Sequence, residues 1–159
     1  MAMRIRPQLR FALVISNDSG CGGASLSRRK SGERLSDINT HFPHWFALKF
    51  HAYNGREEDL PVDQHMLLAL VAPRLLCVGS AKNDDWADPE GEFLSLFHAG
   101  EVYRLYGYRV FKTAEMPGIN GSKVAERFDY HIRSGDHDLK EADWEEYLDF
   151  ADDHIKSGT

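Results

Sequence analysis

Blocks of apolar residues along this chain alternate with polar loops, and the spacing inside the blocks changes from strand-like to helix-like. Phe11 to Ser16 is a short continuous apolar run closed by Asn17-Asp18-Ser19-Gly20, as expected of a strand buried on both faces that ends in a turn. Arg28 to Glu33 reads as a polar loop. His44 to Tyr53 carries aromatics at helical spacing and stops at Asn54-Gly55. A second helix, Gln64 to Val71, is opened by Leu60-Pro61-Val62-Asp63 and terminated by Pro73. Arg74 to Ser80 is another buried-strand pattern, followed by a polar loop to Asp88. Pro89 starts a helix that runs to about Tyr106, with Glu90 and Glu92 near the positive end of its dipole. Lys112 to Lys123 holds Pro117, Gly118 and Gly121 and reads as a surface loop. Tyr130 to Arg133 is a last short strand, Ser134 to Asp138 a polar loop, and Ala142 to Ile155 an amphipathic helix with Trp144, Tyr147, Leu148 and Ala151 on its apolar face.

Strands alternating with helices, with polar loops after the strand ends, predict an α/β fold: a mostly parallel sheet flanked by helices, with sites at the carboxyl ends of the strands. The 159 residues and 42% apolar content suffice for one domain with a real core. The net charge of -6 argues against nucleic acid or an anionic membrane as partner, since both reward basic surfaces. No apolar run approaches the roughly 20 residues that span a bilayer. The five-residue run Phe11 to Ile15 falls short of the roughly 7–15 residues of a secretory signal, so no export signal is expected in this chain and its localisation stays open. The two cysteines, Cys21 and Cys77, make neither a disulfide scaffold nor a zinc motif, and Cys77 reads as a buried inert thiol.

Each of the three strand ends is followed by an acid or a histidine: Asp18 after the first, Asp84, Asp85 and Asp88 after the second, and His137 after the third. In a parallel sheet these loops share one rim. A carboxylate that fixes the tautomer of a histidine and stabilises its charged form is the acid–base half of a hydrolytic triad. The order acid then histidine is also that of α/β-hydrolases, whose nucleophile comes first. Each residue has a plainer reading too. Asp18 suits a turn, Asp84 and Asp85 a solvated loop, Asp88 a helix cap before Pro89, and His137 an ordinary surface site. The remaining histidines, His41, His44, His51, His65, His98, His131 and His154, show no ligand spacing and read as structural or surface residues.

Several motifs in one order carry a more specific signal. Asp18-Ser19-Gly20-Cys21-Gly22-Gly23-Ala24, Phe42-Pro43-His44-Trp45-Phe46, Leu60 through His65, Leu70 through Arg74, Trp86 through Phe93, Tyr130-His131-Ile132-Arg133 and Tyr147 through Ala151 together resemble the glucuronoyl esterases, carbohydrate esterase family fifteen. The likeness runs from Phe11 to His154. The resemblance implies a serine carboxylic-ester hydrolase of α/β-hydrolase fold that uses no cofactor and no metal. Its substrate would be the ester linking 4-O-methyl-glucuronic acid of xylan to a lignin alcohol, or a simple methyl glucuronate. Bacterial relatives also bear the label acetyl xylan esterase and are typically secreted or periplasmic when full-length. By the same resemblance His137 is the triad histidine and Asp84 its acid, with Asp85 the next choice. Asp18 stands where fungal relatives have a catalytic glutamate, and Glu33 and Trp86 contact the uronic acid and its sugar chain.

One departure from the pattern matters. The family nucleophile sits in a Gly-x-Ser-x-Gly elbow, expected upstream of Met1, and no such motif occurs in the 159 residues. Residues 1–159 are therefore expected to form the C-terminal part of the hydrolase domain, without the elbow and with most of the oxyanion hole missing. Loss of a triad nucleophile costs on the order of 10⁶ in rate, so the chain alone is expected to be inactive. Met1 to Gln8 does not read as the helix expected there. A non-catalytic carbohydrate-binding or remnant protein is the alternative. Because early strands would be missing, uncovered sheet surface is expected to favour self-association.

Overall fold

The computed structural model describes residues 11–155. The readings of Met1 to Gln8 lie outside the described residues.

Four strands form one sheet: β1 (Leu13–Asn17), β2 (Leu75–Ala81), β3 (Gly121–Val124) and β4 (Phe128–Arg133), in the order β1-β2-β4-β3. β2 runs parallel to β1, with Leu13 opposite Leu75 and Asn17 opposite Gly79, and parallel to β4, with Leu76 opposite Phe128 and Ala81 opposite Arg133. β3 is antiparallel to β4 and overlaps the end of the stretch, Lys112 to Lys123, expected to be a loop. Its alternating half-buried and exposed residues, with Pro117 and Gly118 just before it, are those of a short edge strand. The helices are α1 (Leu35–His41), α2 (Gln64–Ala69), α3 (Pro89–Leu105) and α4 (Glu141–Ile155). The aromatic stretch expected to be a helix over His44–Tyr53 is instead a single 3₁₀ segment, Leu48–Tyr53, and α1 was not signalled by any apolar periodicity.

All seven residues of β2 are buried, and its side chains divide between two layers by the two-residue period of a strand. Leu76 and Val78 pack with Phe93, Leu96 and Tyr103 of α3, and Leu75 and Cys77 pack with Tyr147 and Phe150 of α4. β4 divides in the same way but with different chemistry. Phe128, Tyr130 and Ile132 join the α3 core, whereas Asp129, His131 and Arg133, all buried, occupy the alternate positions. His131 and Arg133 meet Asp143, which is buried in the first turn of α4.

Two expectations of burial need correcting. Among the described residues β1 is an edge strand paired with β2 alone, and Phe11 and Ile15 are exposed rather than enclosed on both faces. On α4 the buried positions are Asp143, Tyr147 and Phe150, while Trp144 and Leu148 are exposed. Gly79 is needed where it stands. A Cβ there would lie 2.2 Å from the Tyr147 hydroxyl, which crosses β2 to donate to Asn17 at 2.8 Å.

Candidate active site

Because β1, β2 and β4 are mutually parallel, their carboxyl ends share one rim, and the loop after each carries one of the predicted residues. Ligand atoms of Asp18, Asp84 and His137 all lie within 4.8 Å of one another. The 82–88 loop leaves β2 through a turn in which the Asp84 amide donates to the Ala81 carbonyl, and Asp84 Oδ1 accepts from the Ala87 amide at 3.1 Å. The other oxygen, Oδ2, accepts from Nδ1 of His137 at 2.7 Å. Asp84 is buried while the imidazole is 71% exposed, so a fixed carboxylate holds a ring that projects from the surface. With Nδ1 as donor, Nε2 carries the free lone pair, the atom a general base uses. The hydrogen bond to Asp84 is the main cause that raises the His137 pKa above the ordinary histidine value.

Asp18 lies within 4.8 Å of the pair but is differently engaged. It leaves β1 in a left-handed conformation with φ 43°, and its amide donates to the Gly79 carbonyl. Its oxygens accept from Ala81 N at 2.6 Å, Arg133 Nη2 at 2.9 Å, Asp138 N at 3.3 Å and Asn17 Nδ2 at 3.3 Å. Burial pushes its pKa up, while the Asp138 amide, Arg133 and the Ala81 amide pull against that shift. These donors fill its lone pairs, and no bond from Asp18 to the His137 ring occurs among the described residues. A cation between the three groups would have to displace the Asp84–His137 bond and sit against the Arg133 guanidinium. The donor set is therefore committed to a hydrogen-bonded pair.

The turn after Asp18 is held from behind by Glu92 of α3. Its Oε1 accepts from the amides of Ser19 at 2.8 Å and Gly20 at 3.0 Å, and Oε2 accepts from Ser80 Oγ at 2.6 Å. Fully buried, Glu92 has its pKa pushed up to about 7 by desolvation. Asp88 precedes α3 as expected, but its side chain caps nothing. It pairs with Arg29 at 2.9 Å and accepts from Ser25 Oγ at 3.3 Å. Asp85 is exposed and forms no bond with His137 among the described residues.

A cleft of about 280 Å³ opens beside the pair, and Glu33, Phe42, Trp45 and Trp86 are among the residues that line it together with Asp18, Asp84 and His137. Gly32 permits this arrangement: at φ 62° it brings the Glu33 amide to the Trp86 carbonyl at 2.8 Å, and a Cβ on Gly32 would stand 2.4 Å from that same oxygen. Burial raises the Glu33 carboxyl above its ordinary value, opposed by a hydrogen bond from the Trp86 side chain. Phe42 and Trp45 stack on each other at 4.2 Å and are both exposed. Sequence reasoning gave neither aromatic a role at the site, nor one to Glu92, Asp143 or Arg133.

Among the described residues no serine hydroxyl is hydrogen-bonded to Nε2 of His137. The closest approach to an elbow motif, Gly23-Ala24-Ser25-Leu26-Ser27, places Ser25 in the interior against Asp88. Ser19, which borders the cleft, is taken by Ser16 Oγ at 2.6 Å, Glu92 and the Ala24 amide. Cys21 also borders it, but burial pushes its thiol up to about 12, and Cys77 is likewise buried with a raised pKa. Neither thiol is poised as a nucleophile.

An acid–imidazole pair thus lies on the carboxyl rim of the parallel strands, beside a cleft lined by aromatics and a carboxylate. A family model described as "Glucuronyl esterase, fungi" matches residues 7–107. A carbohydrate esterase from an unknown prokaryotic organism is 52% identical over 149 residues, covering 94% of this chain and 34% of that protein. A 4-O-methyl-glucuronoyl methylesterase of Neurospora crassa is 33% identical over 106 residues, 62% of this chain and 26% of its own length. The solved glucuronoyl esterase from Solibacter usitatus superposes with a TM-score of 0.85 at 50% identity, over 91% of this chain and 37% of that one. The chain belongs to the glucuronoyl esterase family, carbohydrate esterase family 15, whose members act on 4-O-methyl-glucuronoyl esters. It spans between about a quarter and somewhat over a third of the length of these relatives.

Proposed function

We propose that this chain carries the acid–base half of a serine esterase that hydrolyses 4-O-methyl-glucuronoyl esters, and that the attacking serine is supplied by sequence beyond its 159 residues. The single observation that carries the reading is the 2.7 Å bond between a buried Asp84 and an exposed His137 whose Nε2 makes no hydrogen bond among the described residues. In this reading Nε2 takes the proton from a serine hydroxyl as its oxygen attacks the ester carbonyl. The charge left on the ring is compensated by Asp84. The tetrahedral intermediate expels the alcohol, which receives that proton from Nε2, and water repeats the cycle on the acyl-enzyme to release the uronic acid. Glu33 and Trp86 hold the sugar: a carboxylate accepts hydroxyl protons and an indole covers a pyranose face, as carbohydrate sites require. Phe42 and Trp45 add apolar lining to the same cleft. Asp18 serves as the counter-ion of Arg133, with Asp84 as the triad acid.

The chain alone then turns over no ester, having base and acid but no nucleophile. Incubating the purified chain with methyl 4-O-methyl-glucuronate tests this: turnover that disappears in His137→Ala would end the proposal. Fusing the chain behind the preceding portion of the 52%-identical prokaryotic relative is expected to restore hydrolysis dependent on His137. A second reading, uronate binding without chemistry, draws on the Glu33–Trp86 contact. It predicts saturable binding of glucuronoxylan oligosaccharides by the chain, weakened by Trp86→Ala, together with a fusion that stays inactive.

A further inference from the structure

Arg133 ends β4, and its side chain is only 7% exposed. Its Nε donates to Asp143 Oδ2 at 2.8 Å. Nη1 donates to the Asp136 carbonyl at 2.8 Å and more weakly to that of Ser134 at 3.4 Å, and Nη2 donates to Asp18 Oδ2 at 2.9 Å and to the Asp138 carbonyl. Asp136 and Asp138 are the two chain neighbours of His137. One planar cation therefore grips the peptide units on both sides of the imidazole-bearing residue, while it is itself clamped between the end of β1 and the head of α4. Other ties reach this loop: Asn120 accepts from the Ser134 amide at 2.8 Å, Asn83 N donates to the Gly135 carbonyl at 3.0 Å, and Asn17 donates to the Asp138 carbonyl at 2.9 Å. Among these side-chain and backbone ties, that of Arg133 alone holds the main chain on both sides of His137. The ring has one hydrogen bond, to Asp84, and is otherwise mostly in solvent, so its place depends on where its backbone is held.

We infer that Arg133 is a positioning residue for His137: through the carbonyls of Asp136 and Asp138 it sets the ring against Asp84, and by occupying Asp18 it makes Asp84 the acid that the ring meets. This rests on the reading of Asp84 and His137 as the acid–base pair. Geometry makes the role specific to arginine. Five N–H groups in a fixed fork reach two carboxylates and two flanking carbonyls, whereas a lysine ammonium offers three donors from one point.

The test uses the whole chain and the ¹⁵N-labelled histidine ring. In the unmodified chain, Nδ1 of His137 should carry a slowly exchanging, strongly downfield proton that disappears in Asp84→Asn. If the unmodified chain shows no such proton, the acid–base reading fails and takes this inference with it. Given that proton, Arg133→Lys keeps the charge beside Asp18 yet should lose the downfield signal and shift the ring's titration toward that of a free histidine, while thermal unfolding stays cooperative. A folded Arg133→Lys chain with both signatures intact would overturn the positioning role and leave the acid–base reading standing. Should the lysine variant not fold, the guanidinium resonances of the unmodified chain decide. Separate, slowly rotating Nη signals support a clamp, and a single averaged signal refutes it.

Discussion

The loop after β2 and the turn after β1 each bring an aspartate to the same imidazole, and they do so to opposite ends. Asp84 spends one oxygen on its own turn, at the Ala87 amide, and keeps the other for His137. Asp18, within 4.8 Å but not bonded to the ring, gives its oxygens to Arg133, two backbone amides and Asn17. Which carboxylate meets the histidine goes with which lone pairs the surrounding donors leave over, and the carboxylate with an oxygen to spare is also the nearer one.

The sharpest way to break this contrast is hydrolysis by a serine-bearing fusion. Asp84→Asn is expected to lower kcat by about 10⁴-fold, since the wrong tautomer would face the serine. Asp18→Asn, read in the same assay, should cost far less. Equal losses at the two positions, in proteins of equal stability, would erase the distinction between them. Next in size is the buried counter-ion system. Asp143→Ala leaves Arg133 and His131 without their shared carboxylate and should destabilise the chain by about 3–5 kcal/mol in urea unfolding. A loss below about 1 kcal/mol, the range of surface ion pairs, would mean that water has replaced the partner.

Glu92 offers a smaller, pH-dependent effect. Its folded pKa, about 7, lies above the ordinary 4.5, so the folded state binds this proton more tightly than the unfolded chain does. The associated stability is complete below pH 4.5 and is lost as pH rises through about 7. Glu92→Gln preserves the acceptor for Ser19 and Gly20 and should flatten the stability profile across that window. A difference between the two proteins that does not change with pH there would show that Glu92 is not neutral in the fold. Smallest is the titration of His137 itself. Its midpoint should lie above the ordinary 6.5 and fall in Asp84→Asn, while Asp85→Asn leaves it in place. An equal fall in Asp85→Asn would reopen the choice of acid.

Much of this was legible in the chain. The apolar runs around Val14 and Cys77, the Pro89 helix start and the acid or histidine after each strand gave the parallel sheet and its rim, because burial and capping write local patterns. Four kinds of feature were not legible. β3 has the composition of a loop and becomes a strand only by pairing with β4. α1 is short, and its buried residues answer to the Cys21 cluster rather than to a periodicity of their own. Phe-Asp-Tyr-His-Ile-Arg in β4 alternates like a strand with one wet face, yet that face is enclosed by α4. Glu92 looks like a dipole-compensating residue at a helix start and is instead the buried acceptor for a turn more than seventy residues away in sequence. In the last two cases the partner lies in a distant segment, and spacing along the chain cannot express it.

The enclosed ionic face of β4 also determines how α4 seats. An amphipathic stripe alone would let a helix slide or roll against a sheet at little cost, but Asp143 must meet both Nε of Arg133 and Nε2 of His131, which fixes its rotation and its axial register together. Transplanting α4 onto a related sheet, or shuffling its sequence while keeping the apolar pattern, should therefore fail unless an aspartate arrives at that one position. The helix is keyed to the strand by a single carboxylate rather than glued by its greasy side.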